Sequence, residues 1–157
     1  MNENKMLVIK PYQLKTLIGS ANKPGWLNIP LHGKDVKARN AVFKEWMKVM
    51  DVVEEKRQAI IDKYAELQDA LTHRDGVTVS KKQERIVENG NYRLSDPDAF
   101  QKEYEELMDK EETFEITPEL KESYSVVKKL ILEGMHRGYD FNEGIILEEI
   151  EEVFRKI

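Results

Sequence analysis

The chain has 157 residues, a length typical of one ordinary domain with its own hydrophobic core. It contains no cysteine, which excludes disulfides, thiolate nucleophiles and cysteine-ligated metal sites. The net charge of −5 is unevenly spread: residues 1–44 hold eight Lys/Arg against two acids, residues 45–95 nine against ten, and residues 96–157 eight against eighteen. Apolar runs are too short to cross a bilayer, so we expect a soluble intracellular protein in one domain, 1–157.

The N-terminal segment, residues 1–35, is dense in glycine and proline and predicts an irregular arm with at most a short strand or helix. A helical turn is expected at 12–18. The arm carries four apolar side chains that either pack on the body or bind a partner. These candidate interaction residues are Trp26, Leu27, Ile29 and Leu31.

Residues 36–71 have the pattern of a long amphipathic helix. Apolar side chains recur at alternating steps of three and four, and no glycine or proline lies between 36 and 70. Asp35 is the expected N-cap. Arg57 interrupts the stripe, and we expect its stem to lie along the apolar side chains. The stripe comprises Phe43, Trp46, Met50, Val53, Ile60, Tyr64, Leu67 and Leu71.

Residues 72–95 predict a small β-hairpin. Two turn signals, Asp75-Gly76 and Asn89-Gly90, bracket pieces rich in β-branched residues, and Asn-Gly supplies the positive φ angles that tight hairpin turns need. The hairpin also carries the cations Lys81, Lys82 and Arg85, which are further candidate interaction residues.

Residues 96–157 predict an acidic helical part. Ser95 or Asp96 precedes Pro97 as a helix start, "ETFEI" favours a short strand, and a second cap-then-proline signal precedes another helix. A last helix is expected from about Asn142. The predicted fold is α+β, mainly α, with a long helix, a small hairpin insertion and two to three further helices.

The order of these elements resembles a family of small proteins of unknown function encoded by tailed phages and prophages of Gram-positive bacteria. The resemblance covers about residues 40–117. It implies a phage origin and a helix-hairpin-helix core, and it brings no activity, cofactor or catalytic residue with it. The matching residues are Arg57, Ile61, Lys63, Tyr64, Asn89, Gly90, Tyr92, Phe100, Glu103, Leu107 and Glu112.

The sequence has no recognisable catalytic signature. No phosphate-binding loop, dinucleotide fingerprint or nucleophile elbow is present. Glu133-x-x-His136 has the spacing of a helical di-metal ligand pair, but such sites need two such motifs and two further glutamates. We therefore expect no enzyme activity, no cofactor and no metal.

The expected function is that of a phage accessory protein acting by protein–protein contact, either in particle assembly or in modulating a host process. Self-association is included in this expectation, and the implied location is the host cytoplasm or the virion. Two alternatives stay open at this point. One is nucleic-acid binding through the basic hairpin and arm, which the acidic composition does not favour, and the other is an acidic DNA mimic.

Overall fold

The computed structural model describes residues 4–20, 23–28, 30–74, 77–134 and 141–157, with only the backbone described at 20, 23–24, 69–74, 77–82, 134 and 141–143. Within these ranges the chain forms five helices and four antiparallel strand pairs, which confirms the α+β, mainly α, fold class. The elements are β1 (Lys5–Ile9), α1 (Pro11–Ile18), β2 (Gly19–Ser20), β3 (Lys23–Pro24), α2 (Gly33–Tyr64), β4 (Leu67–Arg74), β5 (Val77–Arg85), β6 (Val87–Glu88), β7 (Asn91–Tyr92), α3 (Pro97–Met108), β8 (Glu112–Ile116), α4 (Lys121–Gly134) and α5 (Phe141–Arg155).

The chain groups into two compact units. Residues 1–53 and 108–157 form one, called the terminal unit below, and residues 54–107 form the other, called the central unit. Helix α2 contributes residues to both. The expectation of one domain stays a prediction.

In the terminal unit, β1 and β8 form an antiparallel pair in which Leu7 lies opposite Phe114. Successive side chains of a strand point to opposite faces, so Leu7 and Ile9 are buried while Met6 and Val8 are 52% and 41% exposed. The sequence of β8 alternates between apolar and polar residues, as a strand with one buried face requires. This confirms the predicted strand at "ETFEI".

The residues after β1 contribute Leu14, Leu17 and Leu27 to the same buried cluster as this strand pair. The predicted helical turn is confirmed within α1, which begins at Pro11, where proline's missing N–H costs nothing. Helix α1 ends at Ile18, and the residue after it is Gly19, whose φ of 89° favours glycine. The chain then returns along α1, because Leu27 N–H donates to Leu17 C=O at 3.1 Å.

The core of the terminal unit surrounds Trp46, which is fully buried. Its indole Nε1 donates to the Tyr124 hydroxyl at 3.2 Å, and its ring meets Phe154 edge to face with centroids 6.2 Å apart. The buried cluster comprises Leu7, Ile9, Leu14, Leu17, Leu27, Val42, Trp46, Phe114, Ile116, Tyr124, Val127, Ile131, Leu147, Ile150 and Phe154.

Helix α2 differs from its predicted bounds at both ends. It begins at Gly33, so Asp35 lies in its first turn and is not the N-cap. It ends at Tyr64, so the prediction of helix to residue 71 is wrong beyond that residue. Leu67 and Leu71, assigned to the helix stripe, lie instead in strand β4.

The cause of this early end is a closed ring of three backbone hydrogen bonds in the central unit. Glu66 N–H donates to Arg93 C=O at 2.8 Å, Arg93 N–H to Ile86 C=O at 2.8 Å, and Ile86 N–H to Glu66 C=O at 2.9 Å. Partners far along the chain therefore satisfy the backbone groups of Glu66, and continuing the helix would forfeit these bonds.

The predicted hairpin at 72–95 is corrected to two hairpins. Strands β4 and β5 pair over Leu67–Arg74 and Val77–Arg85, with an irregularity between Thr72 and His73, while the predicted turn at 75–76 lies outside the described residues. Strands β6 and β7 form a second, tight hairpin around Asn89-Gly90. Their φ angles of 51° and 81° are both positive, which confirms the Asn-Gly turn prediction.

Helix α3 starts as predicted. Asp96 is its cap, because its Oδ1 accepts a hydrogen bond from Ala99 N–H at 3.1 Å, and Pro97 is the first helical residue. Helix α4 begins at Lys121, three residues after Pro118. The predicted last helix is confirmed as α5, where Leu147, Ile150 and Phe154 form the fully buried stripe.

Candidate interaction surface

The central unit exposes an apolar surface at the base of its two hairpins. Leu67 is 52% exposed, Val87 57% and Tyr92 42%. We call these three residues, together with Arg85, the hairpin patch. Most exposed apolar side chains of a monomer are scattered singly, so a connected group is informative.

The members of the hairpin patch are connected by strand register and by direct contact. Leu67 lies opposite Arg85 in the β4–β5 pair, and Val87 lies opposite Tyr92 in the β6–β7 pair. Directly opposed residues share one face of a ladder. The Arg85 guanidinium carbon is 5.1 Å from the centre of the Tyr92 ring, which joins the two hairpins.

Arg85 is held by several groups of the central unit. Its Nη2 pairs with Asp62 Oδ1 and donates to Gln58 Oε1 at 3.1 Å, while its Nη1 donates to the Tyr92 hydroxyl at 3.2 Å. The hydrogen bond to the Asp62 carboxylate, followed by the one to Tyr92, raises the pKa of Arg85. Arg85 is thus a fixed support for the Tyr92 ring.

Two further cations of the central unit, Arg57 and Lys63, are also paired. Arg57 makes two 2.8 Å hydrogen bonds to Glu54 on its own helix, so its charge is neutralised locally. Lys63 Nζ lies 2.9 Å from Glu103, and hydrogen bonds from Tyr64 and Lys63 lower the pKa of the Glu103 carboxyl. Arg57, Lys63 and Arg85 are thus each neutralised by a neighbouring carboxylate.

Beneath these charges the central unit has a thin core. Among the described side chains of residues 54–107, only Ile61 and Ala65 are fully buried and apolar. Three half-buried aromatic rings add to them: Tyr64 meets Phe100 edge to face at 6.2 Å, and Phe100 stacks on Tyr104 at 6.1 Å. The described side chains of this unit therefore contribute little apolar burial to its stability.

The structure describes the side chains of three of the four candidate arm residues. Leu27 is 2% exposed and belongs to the core, and Trp26 is half-buried against it. Leu31 is half-buried, and Ile29 lies outside the described residues. Leu27 is therefore removed from the candidate surface, because its side chain contacts no solvent.

Of the three hairpin cations, Arg85 alone has a described side chain, since those of Lys81 and Lys82 lie outside the described set. A cation that binds phosphate must be able to leave its own partners. Arg85 is engaged with Asp62, so it contributes less to a nucleic-acid surface than its sequence position indicated. The nucleic-acid alternative stays a prediction.

The terminal unit has a groove of about 240 Å³ near the outer face of β1. Its polar side chains bond mainly to neighbours: Lys10 Nζ is 2.8 Å from Asp109, and the buried Gln13 accepts from Lys10 N–H at 3.0 Å. Tyr12 next to it donates to Glu149, and burial together with this carboxylate raises its pKa to about 12. The lining residues are Met6, Val8, Lys10, Gln13, Glu111, Val153, Lys156 and Ile157.

The described residues contain no group of three or more acidic or histidine side chains placed to hold a metal ion, and His136 of the Glu133 motif lies outside them. Searching the same residues for a helix with the length and hydrophobicity of a membrane span also found none. Comparisons with protein-family models, with curated proteins and with solved structures found no significant match to this chain.

Sequence reasoning missed Leu67, Val87 and Tyr92 as surface residues. Leu67 was assigned to a helix stripe, where it would have been buried. Val87 lies in the predicted hairpin and Tyr92 also belongs to the family resemblance, and the Asn89-Gly90 turn places the two directly opposite each other. An apolar pair flanking a two-residue turn was the available signal.

Proposed function

We propose that this protein is a non-enzymatic accessory protein of a phage or prophage that acts by binding another protein through the hairpin patch. The observation that carries the proposal is the connected, exposed apolar group on a unit with only two fully buried apolar side chains among its described residues. Covering Leu67, Val87 and Tyr92 would add apolar burial to a unit whose described side chains supply little of it.

The sequence resemblance over residues 40–117 supports the phage origin. It includes the turn residues Asn89 and Gly90 and the patch residue Tyr92. Particle assembly and modulation of a host process are the two roles that fit this origin, in the host cytoplasm or the virion.

The non-enzymatic part of the proposal is supported by Lys10, which lines the terminal-unit groove, and by Tyr12, which precedes the lining residue Gln13 in the sequence. A general acid or base works best with a pKa near the working pH. Both pKa values are shifted away from neutrality, because the hydrogen bond to Asp109 raises the pKa of Lys10 and burial raises that of Tyr12 to about 12. Both groups stay protonated near neutrality.

The proposal is tested by photocrosslinking in the bacterial host during infection or prophage induction. A photoreactive amino acid replaces Val87, which is 57% exposed, and a matched control replaces Ile145, which is 55% exposed in the terminal unit. We expect protein adducts from position 87 and few from position 145. Equal labelling from both positions, or no protein adduct from position 87, would contradict the proposal.

A further inference from the structure

The hairpin patch has the make-up of an interface centre. Tyrosine and arginine are enriched among residues that dominate binding energies, and here the Tyr92 ring is pre-positioned by Arg85 at 5.1 Å. The exposed aliphatic side chains of Leu67 and Val87 flank this pair. An occupant must therefore present apolar side chains.

The ion pairs beside the patch contain three carboxylates and two guanidinium groups, an excess of one negative charge. Arg85 is matched by Asp62, and Arg93 is shared by Glu66 at 2.7 Å and Glu88 at 3.5 Å. The carboxylates remain accessible, with side chains 65% exposed at Asp62 and 60% at Glu88. The rim of the patch can thus accept further cations.

The net charge of the whole central unit is also negative. Residues 54–107 contain nine Lys/Arg and thirteen Asp/Glu, a net charge of −4. Two copies meeting through this unit would repel each other, and an anionic lipid surface or a nucleic acid would be repelled as well. Charge complementarity favours a protein partner of opposite sign.

We infer that the hairpin patch receives a segment of a partner protein that combines apolar side chains with lysine or arginine. This rests on the proposed function and adds the chemistry of the partner. The apolar side chains would cover Leu67, Val87 and Tyr92, while the cations would lie against Asp62 and Glu88.

The test uses the full chain and two short fluorescent peptides of equal length, one of leucine and lysine and one of leucine and glutamate. Binding is followed by fluorescence anisotropy at moderate and high salt. We expect the Lys/Leu peptide to bind and the Glu/Leu peptide to bind at least tenfold more weakly. Val87→Ser should lower the affinity for the Lys/Leu peptide about tenfold. Ile145→Ser, at a position of matched exposure, should leave this affinity unchanged.

A charge reversal provides the second variant. Glu88→Lys should lower the affinity for the Lys/Leu peptide and raise the affinity for the Glu/Leu peptide, because it reverses one exposed charge at the rim of the patch. Circular dichroism checks that each variant is folded.

The inference would be overturned if the Lys/Leu peptide did not bind or if both peptides bound with equal affinity. It would also be overturned if wild type and Val87→Ser bound the Lys/Leu peptide equally well. A dimer in sedimentation experiments that Val87→Ser dissociates would assign the patch to a second copy instead. Crosslinks from position 87 to an acidic or neutral segment would also overturn the inference, yet they would leave the proposed function standing. Absence of any adduct from that position would remove both.

Discussion

At the scale of single residues, Gly25 is the position where the backbone leaves least room. A Cβ atom there would lie 2.2 Å from Ile18 C, 2.4 Å from Gly19 N and 2.4 Å from Leu17 O. All three are backbone atoms, so relief requires moving the returning segment away from α1. We expect Gly25→Ala to lower the free energy of unfolding by more than about 3 kcal/mol, measured by urea denaturation followed by tryptophan fluorescence.

Gly33 is the matched control, because a Cβ there has nothing within 4 Å. It also begins α2, where alanine is well tolerated. Gly33→Ala should change the free energy of unfolding by no more than about 0.5 kcal/mol. Similar losses in the two variants would show that the close approach at Gly25 is not the cause.

Tyr124 should make stability depend on pH above 10. Burial raises its pKa from 10.0 to about 12 in the folded protein. The folded state keeps the phenol proton to higher pH than the unfolded state, so this contribution is complete below pH 10 and is lost as pH rises through about 12. Between these pH values the free energy of unfolding of wild type should fall by about 2 kcal/mol more than that of Tyr124→Phe. Denaturant unfolding at each pH measures both values.

Below pH 10 the same variant reports on a hydrogen bond. Tyr124→Phe removes the acceptor of Trp46 Nε1–H and should cost about 1–3 kcal/mol, because a buried donor is left unpaired. Parallel pH profiles of wild type and variant above pH 10 would contradict the assignment of the raised pKa to Tyr124.

At the scale of elements, local signals predicted the start of α3 and the Asn89-Gly90 turn better than the end of α2. The Asp96-Pro97 cap and the Asn89-Gly90 turn depend on groups a few residues apart, and the structure has both. The end of α2 at Tyr64 depends on backbone hydrogen bonds from Glu66 to Ile86 and Arg93. The periodicity of the sequence does not contain these distant partners, so it predicted helix as far as residue 71. The same missed end hid Leu67, and with it part of the hairpin patch.

The cap of α3 gives a prediction at this scale. Asp96→Ala removes the acceptor of Ala99 N–H and should lower the free energy of unfolding by about 1 kcal/mol. Asp96→Asn keeps a side-chain oxygen at the same place and should recover most of the loss. The comparison uses chemical denaturation, and equal losses in the two variants would mean that the cap bond contributes nothing.

At the scale of the whole molecule, composition and pattern predicted the α+β class, but they did not predict where the apolar side chains would be buried. The long helix reads as one stripe from Phe43 to Tyr64. Trp46 belongs to a cluster of fifteen buried side chains and Phe43 and Met50 pack against that cluster, while the described part of the central unit buries two apolar side chains. Whether an apolar residue of a stripe is buried depends on which distant segments pack against it, and a single sequence does not contain that information.

This unequal burial should appear as unequal stability within one chain. Local opening costs little free energy where few apolar side chains are buried. We therefore expect lower opening free energies for amides of α3 and of the β6–β7 hairpin than for amides of α4 and of Leu147 to Phe154 in α5. Native-state hydrogen exchange at increasing denaturant measures these opening free energies. A partner bound at the hairpin patch should then slow exchange in the central unit first, because burial is added there. Equal opening free energies for α3 and α4 would contradict the thin-core account, and with it the physical reason for a partner.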